Sequence, residues 1–246
     1  MAGHSKWANI KHRKGAQDAR RAKIFTKIAR EILVAAREGG GDPAANPRLR
    51  SAIAAARAAN MPNERIEKAI AKGTGEAGAE AYEEVTYEGY GPGGVAILVT
   101  VLTDNRNRTG SEIRNIFSKA GGQLGEPNSV AWMFDRKGLI AVPRDAIDED
   151  RLLEIVLEAG GEDVETGDEY YEISTAPEEF AAVRDALEQA GVAMQAAEIA
   201  LVPKTTVAVD PAKAESVVAL LEKLDDHDDV QKVAANCVLP EDVASA

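Results

Sequence analysis

The sequence predicts an α+β protein of three domains, in which a three-helix domain precedes two α/β sandwich domains, one ferredoxin-like and inserted in the other. Three observations predict this fold class. Apolar residues recur at helical spacing over residues 21–73, and strand-like alternation follows from residue 82. Between residues 138 and 203 the elements take the order β-α-β-β-α-β, which is typical of a ferredoxin-like unit.

The first helix is amphipathic, with Ile24, Ile28 and Ile32 at helical stride and basic residues on a neighbouring stripe. A run of three glycines from Gly39 ends this helix, and a second helix begins near Pro47. Residues 1–20 show no clean apolar period, and we interpret them as a basic arm that precedes the helical bundle.

A third helix follows Pro62 and is predicted to stop at Gly73. The glycine-rich residues 74–81 are interpreted as a linker, which predicts that the bundle can reorient relative to the rest of the chain. The remainder should form a domain of residues 82–137 plus 204–240, interrupted by an inserted domain of residues 138–203.

The interrupted domain begins with a half-buried strand around Val85 and Tyr87 and a central strand from Gly94 to Thr103 that is apolar on both faces. A helix opens at Thr109, whose spacing to Glu112 fits a capping box. Alternating apolar residues then predict a third strand, which Val130, Trp132 and Phe134 supply.

Within the insertion, the pattern predicts strands and helices at 139–142, 148–159, 163–166, 170–174, 177–189 and 196–202. A strand at 205–209, a helix opened by Asp210-Pro211 and a strand at 230–238 remain, and they need partners. Because the segment 82–137 lacks a completing half, we expect this C-terminal piece to return to it.

Charge is distributed unevenly along the chain. The first thirty residues hold nine Lys and Arg and one acid, although the formal charge of the whole chain is -12. Residues 1–72 carry 16 basic and 6 acidic side chains, and the remainder carries 13 basic and 35 acidic ones. A cationic end on an acidic body is expected when that end meets a polyanion, because neutralised phosphates release counterions.

The candidate nucleic-acid-binding residues are therefore mostly basic and N-terminal: Lys6, Trp7, Lys11, His12, Arg13, Lys14, Arg20, Arg21, Lys23, Lys27, Arg30, Arg106 and Arg108. Two roles fit Trp7, since its indole could stack on an unpaired base or pack on the bundle. The loop from Asp104 to Thr109 is equally open. Its arginines and helix N-terminus suit a phosphate, whereas capping with exposed arginines is the structural alternative.

No enzyme is predicted, because the sequence lacks the common nucleophile, zinc and nucleotide-binding motifs. Gly89, Gly91 and Gly94 fit a GxGxxG pattern but lie between two strands, which favours a hairpin turn. The run from Asp225 to Asp229 lacks the spacing of a calcium loop, so a solvated connection is favoured over a metal site. We expect no cofactor and no metal.

A single cysteine, Cys237, and the lack of a signal-peptide core favour a reducing compartment, most simply the cytoplasm. An Arg-rich start could also serve as a mitochondrial presequence, but this one is poor in serine. No run is apolar over the ~20 residues that a membrane-spanning helix needs, so no membrane partner is expected.

Several segments closely resemble the YebC family, which is related to the mitochondrial translational activator of cytochrome oxidase subunit I. They are MAGHSKWANIKHRKGAQDARRAKIFTKIAREI, ANMPNERIEKAIAKGTG, YEEVTYEGYGPGGVAILV, TDNRNRT and KAGGQLGEPNSVAWMF. The resemblance weakens near AANCVLPE, where Ala235 and Cys237 stand at positions expected to be aromatic. It implies a helical N-terminal domain plus two α/β domains, with no catalytic residues and no cofactor.

The resemblance also implies one of two functions. One is promoter binding by a transcriptional regulator, and the other is action on the ribosome as a translation factor that relieves stalling on proline-rich sequences. The second bundle helix is mostly alanine, with Arg50 and Arg57 as its few base-reading side chains. We therefore favour ribosomal RNA and keep promoter DNA as the alternative; the oligomeric state is left open.

Overall fold

The computed structural model describes residues 17–75 and 82–240, with the backbone alone for residues 17–22. These residues form two compact units. One holds residues 17–129 with 212–233, and the other holds residues 130–211 with 234–240. No helix in the described ranges combines the length and hydropathy that crossing a bilayer requires.

The regular elements are numbered here in chain order. The helical region and first strands are α1 Gln17–Gly39, α2 Pro47–Ala58, α3 Asn63–Thr74, β1 Glu83–Tyr90, β2 Ala96–Thr103, α4 Arg106–Lys119 and β3 Gln123–Leu124. The following elements are β4 Phe134–Pro143, α5 Glu149–Glu158, β5 Asp163–Thr166, β6 Tyr170–Thr175, α6 Phe180–Gln189 and β7 Ala196–Pro203. The last elements are β8 Val207–Ala208, α7 Pro211–Asp225, β9 Val230–Ala235 and β10 Cys237–Val238.

Three helices open the described chain, as the apolar spacing predicts. Asn46 caps α2, since its side chain accepts a hydrogen bond from the Leu49 N–H at 3.0 Å, and Pro47 occupies the first helical position. The bundle core is formed by small and branched residues of all three helices, among them Ile32, Leu49 and Ile66.

Gly73 does not stop α3 as predicted, because the helix runs through it to Thr74. A Cβ atom on Gly73 would lie 2.4 Å from the Leu33 carbonyl oxygen, so glycine is required where α3 approaches α1. The glycine serves helix packing instead of chain termination.

The first unit also contains a sheet with strand order β3-β1-β2-β9. Strands β1 and β2 form an antiparallel hairpin that pairs Glu83 with Thr103 and Tyr90 with Ala96. Strand β9 lies beside β2, so the C-terminal segment returns to this sheet after the inserted unit. The predicted fold class, including the insertion, is confirmed.

The bundle packs on this sheet within the same unit. Leu33 and Val34 of α1 form a buried cluster with Leu102 of β2. Arg48 of α2 binds Glu31 of α1 at 2.7 Å and Glu84 of β1 at 2.7 Å, and these hydrogen-bonded carboxylates raise the Arg48 pKa. Such contacts argue against the reorienting bundle that the glycine-rich linker predicts.

The second unit contains a sheet with strand order β5-β6-β4-β7, the order of a ferredoxin-like fold. Helices α5 and α6 pack on it through a buried core that includes Val142, Leu152, Ile173, Val183 and Leu187. The predicted β-α-β-β-α-β order is confirmed. A separate two-stranded parallel sheet joins β8 to β10.

The predicted third strand at residues 130–134 is wrong. Residues Ala131–Met133 form a short 3-10 helix, and Trp132 is 63% exposed although Val130 and Phe134 are buried on either side. Strand β4 starts at Phe134, earlier than the predicted 139–142, and pairs with β7 from Phe134 opposite Pro203 onward. The expected domain boundary after residue 137 therefore falls inside a strand.

The predicted strand at 230–238 is two strands in the structure. Strand β9 joins the sheet of the first unit, whereas Cys237 of β10 pairs with Val207 of β8 in the second unit. Asn236 lies between them, and its carbonyl accepts a hydrogen bond from the Val207 N–H at 2.8 Å.

Candidate nucleic-acid interface

The residues predicted to bind nucleic acid divide into groups by what the structure describes. Those outside the described residues are Lys6, Trp7, Lys11, His12, Arg13 and Lys14. Arg20 and Arg21 lie in the first turns of α1, where the backbone alone is described. Side chains are placed for Lys23, Lys27, Arg30, Arg106 and Arg108.

Lys23, Lys27 and Arg30 form one face of α1, which we call the basic face. Their spacing of four and three residues places them on adjacent turns of the helix. The core stripe, which includes Ile32 and Ala36, packs in the bundle instead. The amphipathic helix with a basic face is thus present as predicted.

The basic face contacts the segment from Asp225 to Asp229, which we call the acidic loop. Lys23 Nζ lies 3.8 Å from Asp226 Oδ1 and donates to the Asp226 carbonyl oxygen at 3.1 Å. Lys27 Nζ lies 3.4 Å from Asp225 Oδ1 and also donates to the carbonyl oxygen of that residue. Each lysine therefore meets both a backbone and a carboxylate oxygen of this loop.

Asp229 is the buried centre of the contact. Arg30 Nη1 donates to its Oδ1 at 2.9 Å, whereas Arg108 Nη2 and Thr109 Oγ1 each donate to its Oδ2 at 2.6 Å. The Asp229 backbone carbonyl accepts the Leu102 N–H at 2.8 Å, which anchors the loop to β2. The carboxylate of Asp229 thus joins α1 to α4, and its backbone carbonyl joins the loop to the sheet.

The electrostatics of Asp229 follow from these neighbours. Burial by itself raises the pKa of this carboxyl group. The hydrogen bonds from Thr109 and Arg108 and the charge of Arg30 lower the pKa by more than burial raises it, so the net pKa lies below its usual value. The Asp229 hydrogen bond also raises the pKa of Arg108. The site is built to hold Asp229 ionised.

The loop that precedes α4 is organised by its own side chains. Asn105 caps α4 by accepting the Arg108 N–H at 3.1 Å, and Thr103 Oγ1 accepts the Asn105 N–H at 2.9 Å. Arg108 also binds Asp104 at 3.0 Å. The capping interactions are therefore present, and the role of Arg108 toward phosphate stays a prediction. Arg106 is exposed, and its role toward phosphate stays a prediction.

His227 completes the acidic loop through hydrogen bonds on both ring nitrogens. Its Nδ1 accepts the Asp229 N–H at 3.1 Å, so Nε2 carries the proton and donates to Glu112 Oε2 at 2.9 Å. Glu112, His227 and Asp229 lie close enough to suggest a metal cluster. Because the imidazole lone pair and the Asp229 carboxylate are already engaged, this geometry favours hydrogen bonding over cation binding.

The glycines that fit a GxGxxG pattern form a strand connection. Residues Pro92–Gly94 make a short 3-10 helix between β1 and β2, and Gly93 and Gly94 have φ values of 78° and 77°. The Gly91 N–H donates to the Val95 carbonyl within this turn. The pattern thus closes a hairpin and does not open a helix, as a dinucleotide site would require.

Comparison with known proteins covers nearly the whole chain. Residues 5–76 match the family described as TACO1/YebC protein N-terminal domain, and residues 82–237 match TACO1/YebC second and third domain. The chain belongs to the TACO1/YebC family.

Relatives within this family are close in sequence and structure. A protein of Dictyoglomus turgidum is 57% identical over 99% of this chain and 98% of its own, and one of Carboxydothermus hydrogenoformans is 58% identical over 96% and 98%. Both are named "probable transcriptional regulatory protein". The crystal structure of a conserved hypothetical protein from Aquifex aeolicus has a TM-score of 0.85, with 51% identity over 96% of this chain and 98% of the other.

Within the TACO1/YebC domains, the basic face belongs to the N-terminal domain and the acidic loop to the region of the second and third domains. Sequence reasoning identified the basic face but missed its partners, which lie 198 to 203 positions away. The visible signal was the run of four aspartates from Asp225 to Asp229, whose sign complements the face.

Proposed function

We propose that this protein is a non-enzymatic regulator of gene expression that binds nucleic acid through its basic N-terminal segment. The observation that carries the proposal is the charge asymmetry, with nine basic residues and one acid in the first thirty residues of a chain whose charge is -12. A polyanion is the partner that such an end attracts, and the acidic body limits how the protein lies on it. The names of the relatives support a role in gene regulation.

We infer different roles for the thirteen candidate residues from the contacts of those whose side chains are described. Arg30 and Arg108 form ion pairs with the buried Asp229, so their guanidinium groups stabilise the fold. We assign phosphate contact to the candidate residues before α1, to Arg20 and Arg21 at its start, to the exposed Arg106, and to Lys23 and Lys27 when they are released from the acidic loop.

For the target, we favour ribosomal RNA and action as a translation factor that helps synthesis of proline-rich sequences. Helix α2 buries four residues in the core and exposes few side chains able to read base edges beyond Arg50 and Arg57. Helix α3 exposes Glu64 and Glu67 near its start, and these carboxylates disfavour insertion in a DNA groove. An arm that combines basic residues with Trp7 suits the unpaired bases of folded RNA.

Promoter DNA is the alternative target. It is favoured by one observation, the description of the relatives as probable transcriptional regulatory proteins. A basic segment also binds duplex DNA through its phosphates, so charge by itself does not separate the two targets.

Crosslinking in cells, followed by sequencing of both bound RNA and bound DNA, tests the proposal. We expect reads to accumulate on ribosomal RNA, and accumulation at promoters would select the alternative. A variant with Lys11, Arg13 and Lys14 replaced by Ala should lose the signal, whereas a control with Arg144, Arg151 and Lys213 replaced by Ala carries the same charge change and should keep it. Background recovery of both nucleic acids by the wild type would overturn the proposal.

A further inference from the structure

The acidic loop presents oxygens to the basic face much as a phosphate backbone would. Lys23 and Lys27 sit one turn apart on α1, and each donates to a backbone carbonyl oxygen while its ammonium lies within 4 Å of a carboxylate. Two anionic oxygens on successive turns of one helix are the contacts that neighbouring phosphates make with a basic helix.

The contact is graded from exposed to buried along α1. The side chains of Lys23 and Asp226 are 45% and 51% exposed, whereas those of Arg30 and Asp229 are 16% and 5% exposed. The Lys27–Asp225 pair is intermediate, with side chains that are 16% and 39% exposed. Exposed ion pairs are weak and screened by salt, so the outer Lys23–Asp226 pair opens at little cost and the outer Lys27–Asp225 pair at a larger one, and neither opening removes a hydrogen bond from the buried Asp229 carboxylate.

We propose that Asp225 and Asp226 act as an internal phosphate mimic that covers Lys23 and Lys27 until nucleic acid displaces them. The inference rests on the proposed function and adds regulation to it. The ligand class is the phosphate backbone of RNA, and the acidic loop competes with it for the two lysines. Nucleic acid that has bound the arm can contact Lys23 and Lys27 only after the ion pairs of these lysines with the acidic loop have opened.

The competition has a selective consequence. A short or weakly charged anion cannot offset the loss of two intramolecular ion pairs, whereas a polyanion anchored on the preceding basic residues presents phosphates at high local concentration. The acidic loop therefore raises the threshold for stable binding and leaves the buried Arg30–Asp229 pair in place.

The chain offers a matched pair of variants for the test. Asp225→Asn with Asp226→Asn removes both carboxylates from the outer pairs. Glu222→Gln with Asp228→Asn removes the same charge from exposed positions beside them, and in the described part of the chain neither of these side chains makes an ion pair with α1. Circular dichroism and thermal unfolding of the full-length variants verify that both fold.

Binding of a single-stranded RNA oligonucleotide of mixed sequence is then measured by fluorescence anisotropy across a salt series. We expect the Asp225/Asp226 variant to bind about three- to tenfold more tightly than the Glu222/Asp228 control, because two ion pairs, one exposed and one partly buried, no longer compete with the RNA. Its salt dependence should also be steeper, by up to about 0.7 in slope for each lysine that gains a phosphate of the single strand.

Lys23→Ala and Lys27→Ala are then added to the wild type and to each double variant. This separates competition for the two lysines from a general effect of net charge. The lysine substitutions should weaken RNA binding more in the Asp225/Asp226 background than in the wild type. Equal gains in RNA affinity for the Asp225/Asp226 and Glu222/Asp228 variants, with equal losses of affinity when the lysines are removed, would overturn the phosphate mimic and leave the proposed function standing. If neither wild type nor variants bound the RNA at low salt, the proposed function itself would fail.

Discussion

Lys23 and Arg30 lie on the same face of α1, yet their acidic partners occupy different surroundings. Asp226 is half exposed, whereas the Asp229 side chain is 5% exposed and accepts hydrogen bonds from three side chains on two helices. Water and salt screen the first pair and largely leave the second intact. Like charges on one stripe of a helix can therefore form a solvated, displaceable ion pair at one end and a buried, structural one at the other.

The largest expected effect comes from removing the buried carboxylate. Asp229→Ala should lower the free energy of unfolding by about 3 kcal/mol, because Arg30 loses its buried partner and Thr109 and Arg108 each lose an acceptor. Urea denaturation followed by circular dichroism measures this loss. Asp228→Ala is the control on the exposed neighbour and should change stability little; similar losses for the two variants would contradict a special role for Asp229.

A pH series sharpens the same point. Because interactions in the folded state hold the Asp229 pKa below its usual value, the carboxylate contributes its full stability above the unfolded pKa of about 3.9. That contribution is lost as the pH falls through the lower folded pKa. We expect the stability gap between wild type and Asp229→Asn, measured by urea denaturation, to stay constant from about pH 7 to about pH 5 and to shrink below about pH 4. A gap that also stayed constant below about pH 4 would show that titration of Asp229 contributes nothing to stability.

A smaller effect is expected at the hydroxyl that supports this carboxylate. Thr109 Oγ1 lies 2.6 Å from Asp229 Oδ2 and 2.8 Å from Thr103 Oγ1, and the residue is fully buried. Thr109→Val keeps the shape but removes the hydroxyl, so it should cost about 1–2 kcal/mol in urea denaturation. Thr109→Ser retains the donor and should recover most of the lost hydrogen-bond energy, whereas a loss as large as that of Val would show that the hydroxyl by itself does not account for the contribution of Thr109.

The fold could be predicted where local pattern decides it. The strands of the insertion carry clear alternation and turn glycines, so their order emerged from the sequence. The start of β4 could not, because Gly138 after two charged residues is typical of a turn. In the structure Gly138 lies inside the strand, where a Cβ would come within 2.2 Å of Thr175 Oγ1 and 2.6 Å of Phe180. Only the tertiary contact reveals why glycine is there.

Trp132 illustrates the opposite error. Its position between Val130 and Phe134 satisfies strand alternation, and a strand would have buried all three on one face. The backbone instead turns through a 3-10 helix, with the Met133 N–H donating to the Val130 carbonyl at 2.9 Å, and the indole remains exposed. Burial of Val130 and Phe134 therefore does not determine the backbone conformation of the residues between them.

The basic face could be predicted from one helix period, but its partners could not. Lys27 and Asp225 are 198 residues apart, and nothing in a single sequence specifies which acidic run meets which basic stripe. The aspartates from Asp225 to Asp229 were visible, and their interpretation as a solvated connection describes the exposed end and misses the buried Asp229. Burial at one position in a charged run depends on the sheet beneath it.

The smallest expected effect concerns the exposed end of the comparison. Lys23→Ala should lower the free energy of unfolding by about 0.5 kcal/mol or less at low salt, because its pair with Asp226 is largely solvated. Arg30→Ala, by contrast, leaves the buried Asp229 without one of its donors and should cost more. In urea denaturation at about 1 M salt, where the Debye length falls to about 3 Å, the effect of Lys23→Ala should vanish while that of Arg30→Ala persists. Equal salt sensitivity of the two variants would mean that both ends of the basic face are equally open to solvent, and the distinction between a binding end and a structural end would have to be abandoned.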